Sequence, residues 1–455
     1  MIRILSGCLV AGLLLASLPI AAQVSPEEFE TTVRYLSNDE LEGRRTGTRG
    51  NLLAAGFIAG AFAEAGLQPV DGAWLHDFSY VRGARPGPEL SLVMTYNQEA
   101  PTGGDERPGF QRTLVPGTDF SILGYSSEGE YSGEVVFAGY GISAPDENYD
   151  DYAGIDVDGK VVVVFRHSPD VDNPHGPLGA YAGFVQKIMT ARERGAAAIL
   201  MVDMREDAGL IPLFFDRRAS NAGIGVGTLH RKETLSLRSH DGRSLVEMKE
   251  EIDQSGRPSS FPLIGWSARL NADIMLDEVS VPNVLGMLPG NDPEVGHEIV
   301  VVGGHFDHLG HGGSGSLDDS DEPAIHNGAD DNSSGTSTVV ALARRWAERG
   351  GNRRTLMFMA FNGEEEGLLG SAALVEEARF DVKNVVSMIN LDMVGLPHSV
   401  NALGFADLVP VLEGFDASLG EHRMEKGVDN INWFGSDHTP YQLEGIRSIT
   451  FGAPI

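Results

Sequence analysis

The chain has 455 residues, with 34 Lys and Arg against 65 Asp and Glu and a formal net charge of −31. Apolar residues make up 42% and charged residues 22%, the ordinary mix of a globular protein. The length exceeds what one compact core supports, so two domains or a domain with a large insertion are expected, and so large an acidic surplus argues against a nucleic-acid partner.

Residues 1–22 read as a secretory leader: Arg3 supplies the positive start, residues 9–18 are apolar, and Ile20-Ala21-Ala22 offers a cleavage site. The apolar run is too short for a membrane span, so no stable membrane insertion is expected after cleavage. Leu5-Ser6-Gly7-Cys8 matches a lipoprotein box in letters but precedes the apolar run, so lipidation is not expected. Cutting after Ala22 removes Cys8, the only cysteine. The mature chain then has no disulfide, no CxxC and no catalytic thiol, which suits a periplasmic or secreted protein. Any metal must be held by His, Asp and Glu.

Next comes Ser25-Pro26-Glu27-Glu28, a capping box with Pro at the first helical position, predicting a helix to about residue 36. A polar turn over 39–45 separates it from a second helix over 51–65. That helix puts Ala55, Ile58, Phe62 and Ala65 on one face and is stopped by Gly66 and Pro69. Residues 23–119 are read as the N-terminal part of the catalytic domain. From 120 to 265 the texture changes to short β-rich runs at 133–137, 160–165 and 198–202, with one helix near 182–194. This stretch lacks convergent His and acidic residues and reads as a separate inserted module. From 266 the catalytic domain resumes, and from Pro282 the pattern alternates. Strands are predicted at 298–303, 355–361 and 385–391, and helices at 334–349 and 368–378. Val339, Leu342, Ala343 and Trp346 of the first helix should face inward. The fold class expected is α/β: a mostly parallel central sheet with helices on both faces, plus an inserted β-rich domain.

In such sheets, ligands bind outside the carboxyl ends of the strands. There the sequence places Gly304-His305-Phe306-Asp307-His308, then Asn362-Gly363-Glu364-Glu365-Glu366, then Asn390-Leu391-Asp392, with Gly328-Ala329-Asp330-Asp331-Asn332 at a helix entry. This is the donor set of a divalent metal site. Asp307 is placed to accept a hydrogen bond from the ring nitrogen of His305 that does not face the metal. Asp331 can offer one oxygen to each of two metals, and of the adjacent Glu364 and Glu365 one can bind metal while the other handles a proton. Singly, each has a plainer reading: a loop His, a solvated charge run, a helix cap, a strand-end turn. It is their joint placement at successive strand ends that makes a site. Residues 318–322 read as solvated loop, and His308 and His311 as rim residues outside the ligand set. No P-loop, GxSxG elbow or HExxH motif occurs.

These blocks, with Glu364-Glu365-Glu366-Gly367-Leu368-Leu369-Gly370-Ser371, Asn390-Leu391-Asp392-Met393-Val394-Gly395 and Ser436-Asp437-His438, resemble the M28 zinc metallopeptidases, co-catalytic di-zinc aminopeptidases. The resemblance is strong over 282–455, and the helices near 26–65 are similar to the N-terminal region of these enzymes. The inserted stretch resembles a protease-associated (PA) domain through Val135-Val136-Phe137-Ala138-Gly139-Tyr140-Gly141 and Gly159-Lys160-Val161-Val162-Val163. The resemblance implies two zinc ions. His305 and Asp392 would bind one, Asp331 would bridge both through a residue whose bond to Asn332 is cis, and Glu365 would bind the second. Glu364 would be the general base and Asp307 the partner of His305. The family's further His ligand lies in a Tyr-His-like motif downstream of the Ser-Asp-His block, and this sequence stops at Ile455 before it. The second site is therefore expected to be incomplete, with three readings: a fragment, substitution by His438 or water, or an impaired protein.

The expectation is an exported zinc-dependent exopeptidase acting on peptides, an aminopeptidase in the first instance. The alternatives are a catalytically silent binding protein on the same fold, or the carboxypeptidase and glutaminyl cyclase activities also found in the family. Oligomeric state, side-chain preference and the role of the PA-like module are not legible.

Overall fold

The computed structural model describes residues 25–97, 109–170, 176–213, 221–239, 241–312, 324–395, 401–405, 407–416, 425–428 and 435–452. The predicted leader, the acidic stretch 318–322 and residues 453–455 lie outside them. The chain divides into two units, one of Met1–Tyr80 with Val279–Ile455 and the other of Val81–Glu278. The second unit includes the residues 120–265 read as an insertion, and its edges fall within the long strands Leu75–Pro86 and Ile274–Leu288.

The first unit is built on a nine-stranded mixed sheet. Four strands at its centre run parallel, in the order Thr355–Phe361, Ile299–His305, Val385–Asp392, Arg447–Gly452. Antiparallel strands flank them: Ile274–Leu288 on one side and Asn401–Gly404 on the other. The expected parallel character therefore holds for the core of the sheet but not for its flanks. Alternation along each strand sends side chains to opposite faces. Val302, Phe358 and Ala360 pack with Leu36, Ile58, Phe62, Val339 and Ala343 from three helices. Val301, Met357 and Met359 pack on the other face with Leu374 and Tyr441. A sheet buried on both faces explains the near-continuous apolar strands.

The three helices of the first face are Pro26–Leu36, Arg49–Glu64 and Gly335–Arg349. Ser25 is the N-cap of the first, but its side chain makes no capping bond, so the predicted capping box is not formed, and Pro26 alone marks the start. In the third helix Val339 and Ala343 are buried and Leu342 and Trp346 are partly buried against the same core.

The second unit holds an eight-stranded sheet. Gly129–Ala138, Val161–Phe165, Ala198–Val202 and Gly225–Leu229 lie parallel in that order, with antiparallel strands beyond them. Val161, Val163 and Phe165 face one core with Met248 and Ile252 of the helix Leu245–Ser255. Val162 and Val164 face another with Ile188 and Ala191 of the helix Phe184–Glu193. Lys187 of that helix is buried and donates to the carbonyls of Tyr140, at 2.5 Å, Phe165, at 2.9 Å, and His167. Burial pulls its ammonium down to about 7, against the attraction of Asp151.

Candidate metal centre

The parallel register brings the strand ends level. His305 lies opposite Phe361, Gly303 opposite Asn390 and Asp392 opposite Gly452. Functional residues that follow these positions therefore emerge on one rim. Gly304 must be glycine, because a Cβ there would sit 2.5 Å from the Leu391 carbonyl oxygen of the neighbouring strand.

Two groups of donors form on this rim. In the first, His305 Nε2 lies 3.3 Å from Asp331 Oδ1 and 3.3 Å from Asp392 Oδ1. In the second, His308 Nδ1 lies 2.6 Å from Glu365 Oε1 and 3.8 Å from Asp331 Oδ2. Each group has one imidazole and two carboxylates close enough to share an ion, and Asp331 belongs to both, one oxygen toward each. Glu364 stands beside the first group, with Oε2 4.0 Å from His305 Nε2. The peptide bond between Asp331 and Asn332 is cis, as the resemblance implied.

His308, read as a rim residue, is buried and sits within the second donor group. His438, named as a possible substitute ligand or pocket residue, is buried at the start of the helix His438–Leu443, outside both groups but near enough to Asp392 to help draw that carboxyl down. The signal for His308 was its position three residues after His305, past a turn that carries both rings to the same rim.

Asp307 stands beside His305 Nδ1, with its backbone carbonyl at 3.2 Å and its carboxylate at 3.7 Å. The Asp307 carboxylate also accepts from the backbone amides of Glu364, at 3.1 Å, and Glu365, at 3.3 Å, and from Thr46 Oγ1, at 3.0 Å. It thereby holds the turn that carries both glutamates. Glu366 is taken up by Arg45, with Nε at 3.3 Å, which leaves Glu364 and Glu365 for chemistry.

A brace from the N-terminal helices underlies the site. Arg44 is 1% exposed, although it falls in the stretch predicted as a polar turn. It donates to the carbonyls of Leu36, Phe306, Asn327 and Gly328, tying the His305 loop to the loop before Asp331. Burial draws its guanidinium down to about 10, while the charges of Asp307, Asp331 and Glu365 pull the other way. Asn51 and Asn362 exchange two amide hydrogen bonds, each 2.9 Å, fixing the end of the Thr355–Phe361 strand. No local pattern marks these residues, because most of their partners lie some 260 to 310 positions away.

The electrostatics are those of a cation site. Burial would lower the His305 pKa, but Glu364 and Asp392 hold it well above its ordinary value. Burial drives Glu364 well upward. Asp392 stays below the usual carboxylate range despite burial, because His305 is charged and bonded to it. Asp437, fully buried behind them, is pushed up by burial to about 7. Six carboxylates thus crowd two imidazoles, while the buried Arg44 spends its donors on backbone carbonyls. Divalent cations would neutralise that charge, and the mixed His and carboxylate donors suit zinc. A cavity of about 940 Å³ lies at the opposite, amino ends of the strands, beside Val385, Ile446 and Arg447, and holds none of these groups.

Comparison with known proteins agrees with this chemistry. Residues 283–454 match the sequence profile of Peptidase family M28. A probable leucine aminopeptidase of Arthroderma benhamiae is 29% identical over 180 residues, covering 38% of this chain and 46% of that protein. Aminopeptidase YwaD of Bacillus subtilis is 24% identical over 302 residues, covering 65% of this chain and 54% of that protein. The chain thus spans about half the length of these relatives. An aminopeptidase structure from Aneurinibacillus sp. strain AM-1 aligns over 95% of this chain and 85% of its own, at 18% identity and a TM-score of 0.49.

Proposed function

With residues 283–454 matching peptidase family M28 as the premise, we propose that the chain is a zinc-dependent aminopeptidase with two metal positions bridged by Asp331. The observation that carries the reading is the sharing of Asp331 between two donor groups, each with its own imidazole and second carboxylate. Paired catalytic metals lie roughly 3.5–4 Å apart, a span one carboxylate can bridge. Bound zinc would supply Lewis acidity toward a peptide carbonyl and toward water.

The chain's own residues do the rest. Glu364 takes a proton from the attacking water and passes it to the leaving amine. Asp307 keeps Glu364 in place through its backbone amide. The acidic rim attracts the free α-amine of a peptide, which favours cutting at the amino terminus. Names of relatives point the same way: a leucine aminopeptidase, an aminopeptidase and probable zinc metalloproteases. We place the enzyme outside the cytoplasm, on the strength of Arg3 and the apolar run behind it, and read residues 120–265, within the Val81–Glu278 unit, as PA-like. A silent binding protein is disfavoured, since such proteins would have little reason to keep both donor groups.

Hydrolysis of leucine amide by the purified chain, before and after chelation, tests the reading. Activity lost on chelation and restored by zinc supports it. Turnover that survives complete metal removal would reject it.

A further inference from the structure

We propose that Asp330, Asn332 and Ser334 are positioning residues that hold Asp392 in place against Asp331 and so set the shape of the first metal position. The inference rests on the zinc reading above and deepens it, by naming residues that act on the donors through the backbone. Asp331 and Asp392 come from distant parts of the chain, the segment Ala329–Ser334 and the end of the strand Val385–Asp392. Each carboxylate lies 3.3 Å from His305 Nε2, and their ligand atoms stand within 4.8 Å of each other. Like charges that close repel, so the backbone beneath them has to resist their separation.

Every second residue from 330 to 334 reaches across to the backbone around Asp392. Asn332 Nδ2 donates to the Leu391 carbonyl, at 2.9 Å, and Asn332 Oδ1 accepts from the Met393 amide, at 3.2 Å. Ser334 Oγ accepts from the Val394 amide, at 3.0 Å, and Asp330 Oδ1 from the Gly395 amide, at 2.8 Å. The Ser334 hydroxyl in turn donates to the Asp330 carbonyl, at 2.7 Å. Four backbone groups around Asp392 are thus bound by three side chains around Asp331, and none of these bonds uses a donor atom of the metal position. Asn332 and Ser334 are buried, where a bond left unmade is destabilising. The plainer reading is the start of the helix Gly335–Arg349, since Asn332 Oδ1 also accepts from the Gly335 amide, at 2.9 Å. Yet Ser334, at the N-cap position, makes no capping bond, and a cap does not require the bonds to Leu391, Val394 and Gly395. The Met393 backbone gives a second sign. Its φ of +55° lies in the left-handed region, which a residue with a side chain occupies only where its surroundings impose it. Here the three successive amides of residues 393–395 are all bound to the 330–334 segment. At Gly395 a Cβ would lie 2.8 Å from Asp330 Oδ1, so glycine admits the carboxylate.

The test uses the full chain and zinc itself, independent of activity. Hydrogen exchange, with and without zinc, should find the Gly395 amide protected in wild type and in Asp330→Asn, which keeps an acceptor oxygen, and exposed in Asp330→Ala. Zinc is then titrated against chelators of graded strength. Asp330→Ala and Ser334→Ala should each weaken the ion held by His305, Asp331 and Asp392 about 10–100-fold, the usual cost of removing a group that orients a ligand. The ion beside Glu365 should keep its wild-type affinity, which also shows that each variant has folded. The binding step lost in Asp392→Ala identifies the first ion. Asp330→Asn should restore most of the lost affinity, because the role is to accept a hydrogen bond and not to add charge. A wild-type Gly395 amide that exchanges as fast as in Asp330→Ala, first-ion affinity unchanged in both alanine variants, equal weakening of both ions, or no rescue by Asp330→Asn each overturns the proposal and leaves the zinc reading standing. A wild-type chain that holds no zinc overturns that reading, and the proposal with it.

Discussion

At the scale of single residues, the adjacent glutamates Glu364 and Glu365 stand in different surroundings. Glu364 stands beside His305 and is buried, whereas Glu365 is bonded to His308 in the second donor group. Glu364→Gln should therefore retain zinc and lose about 10²–10⁴ of turnover, the usual contribution of positioned proton transfer. Glu365→Gln should weaken zinc binding first and lose activity with it. Paired zinc titrations and rate measurements check this division, and reversed behaviour would exchange the two roles. The donor groups' His305, Asp331, Glu365 and Asp392 were picked out in the sequence from their places at strand ends and at a helix entry. His308 was not read as one of them. Its place in the second donor group depends on the path of the chain after His305, which spacing alone does not encode.

At the scale of elements, the site stands on the segment between the first two helices. Arg44 joins four carbonyls from three parts of the chain, and Thr46 donates to the carboxylate that holds the glutamate turn. Arg44→Met would strip buried carbonyls of their donor, at about 1–3 kcal/mol for each group left unsatisfied. We expect a loss of several degrees in melting temperature together with weaker zinc binding. Thr46→Val keeps the shape but removes one bond to Asp307. It should lower kcat with little effect on KM or on stability beyond about 1 kcal/mol. A kinetic comparison with Thr46→Ser, which keeps the hydroxyl and should restore kcat, separates positioning from packing. Helix and strand positions here were readable from periodicity: the first helix ends at Leu36 and the strand Thr355–Phe361 has its predicted bounds. The brace was not readable. Residues 39–45 look polar, and only tertiary contacts with residues near 306 and 327 turn Arg44 inward.

At the scale of the whole molecule, the second unit carries its own buried ionic features. Lys187 gives its three protons to backbone carbonyls under the sheet. Lys187→Met would leave those carbonyls unpaired and Asp151 without its nearby positive charge, costing about 3–5 kcal/mol in the manner of a broken buried pair. Urea unfolding followed by a probe in this unit should show it, with the zinc content of the chain unchanged. Asp203 offers a pH test. Burial opposes its ionisation, but bonds from Arg205 and His167 outweigh that and bring it down to about 2. Its folded value lies below its unfolded one, so its stabilisation is full above about pH 4 and fades as pH falls toward 2. Asp203→Asn should be less stable than wild type at pH 7, and the gap should close across that acid window. A gap that stays constant down to pH 2 would remove Asp203 from the acid limb. The change in texture after residue 120 falls inside the Val81–Glu278 unit, whose edges lie within the strands Leu75–Pro86 and Ile274–Leu288, so no change of element marks them in the sequence.

The central claim is that Asp331 bridges two metal positions. Crystals grown with zinc and measured at the zinc absorption edge test it most directly, through the anomalous difference map. The account predicts two peaks flanking the Asp331 carboxylate, roughly 3.5–4 Å apart, one bounded by His305 and Asp392 and the other by Glu365 and His308. A single peak, or two peaks of which one is not within bonding distance of Asp331, would contradict it.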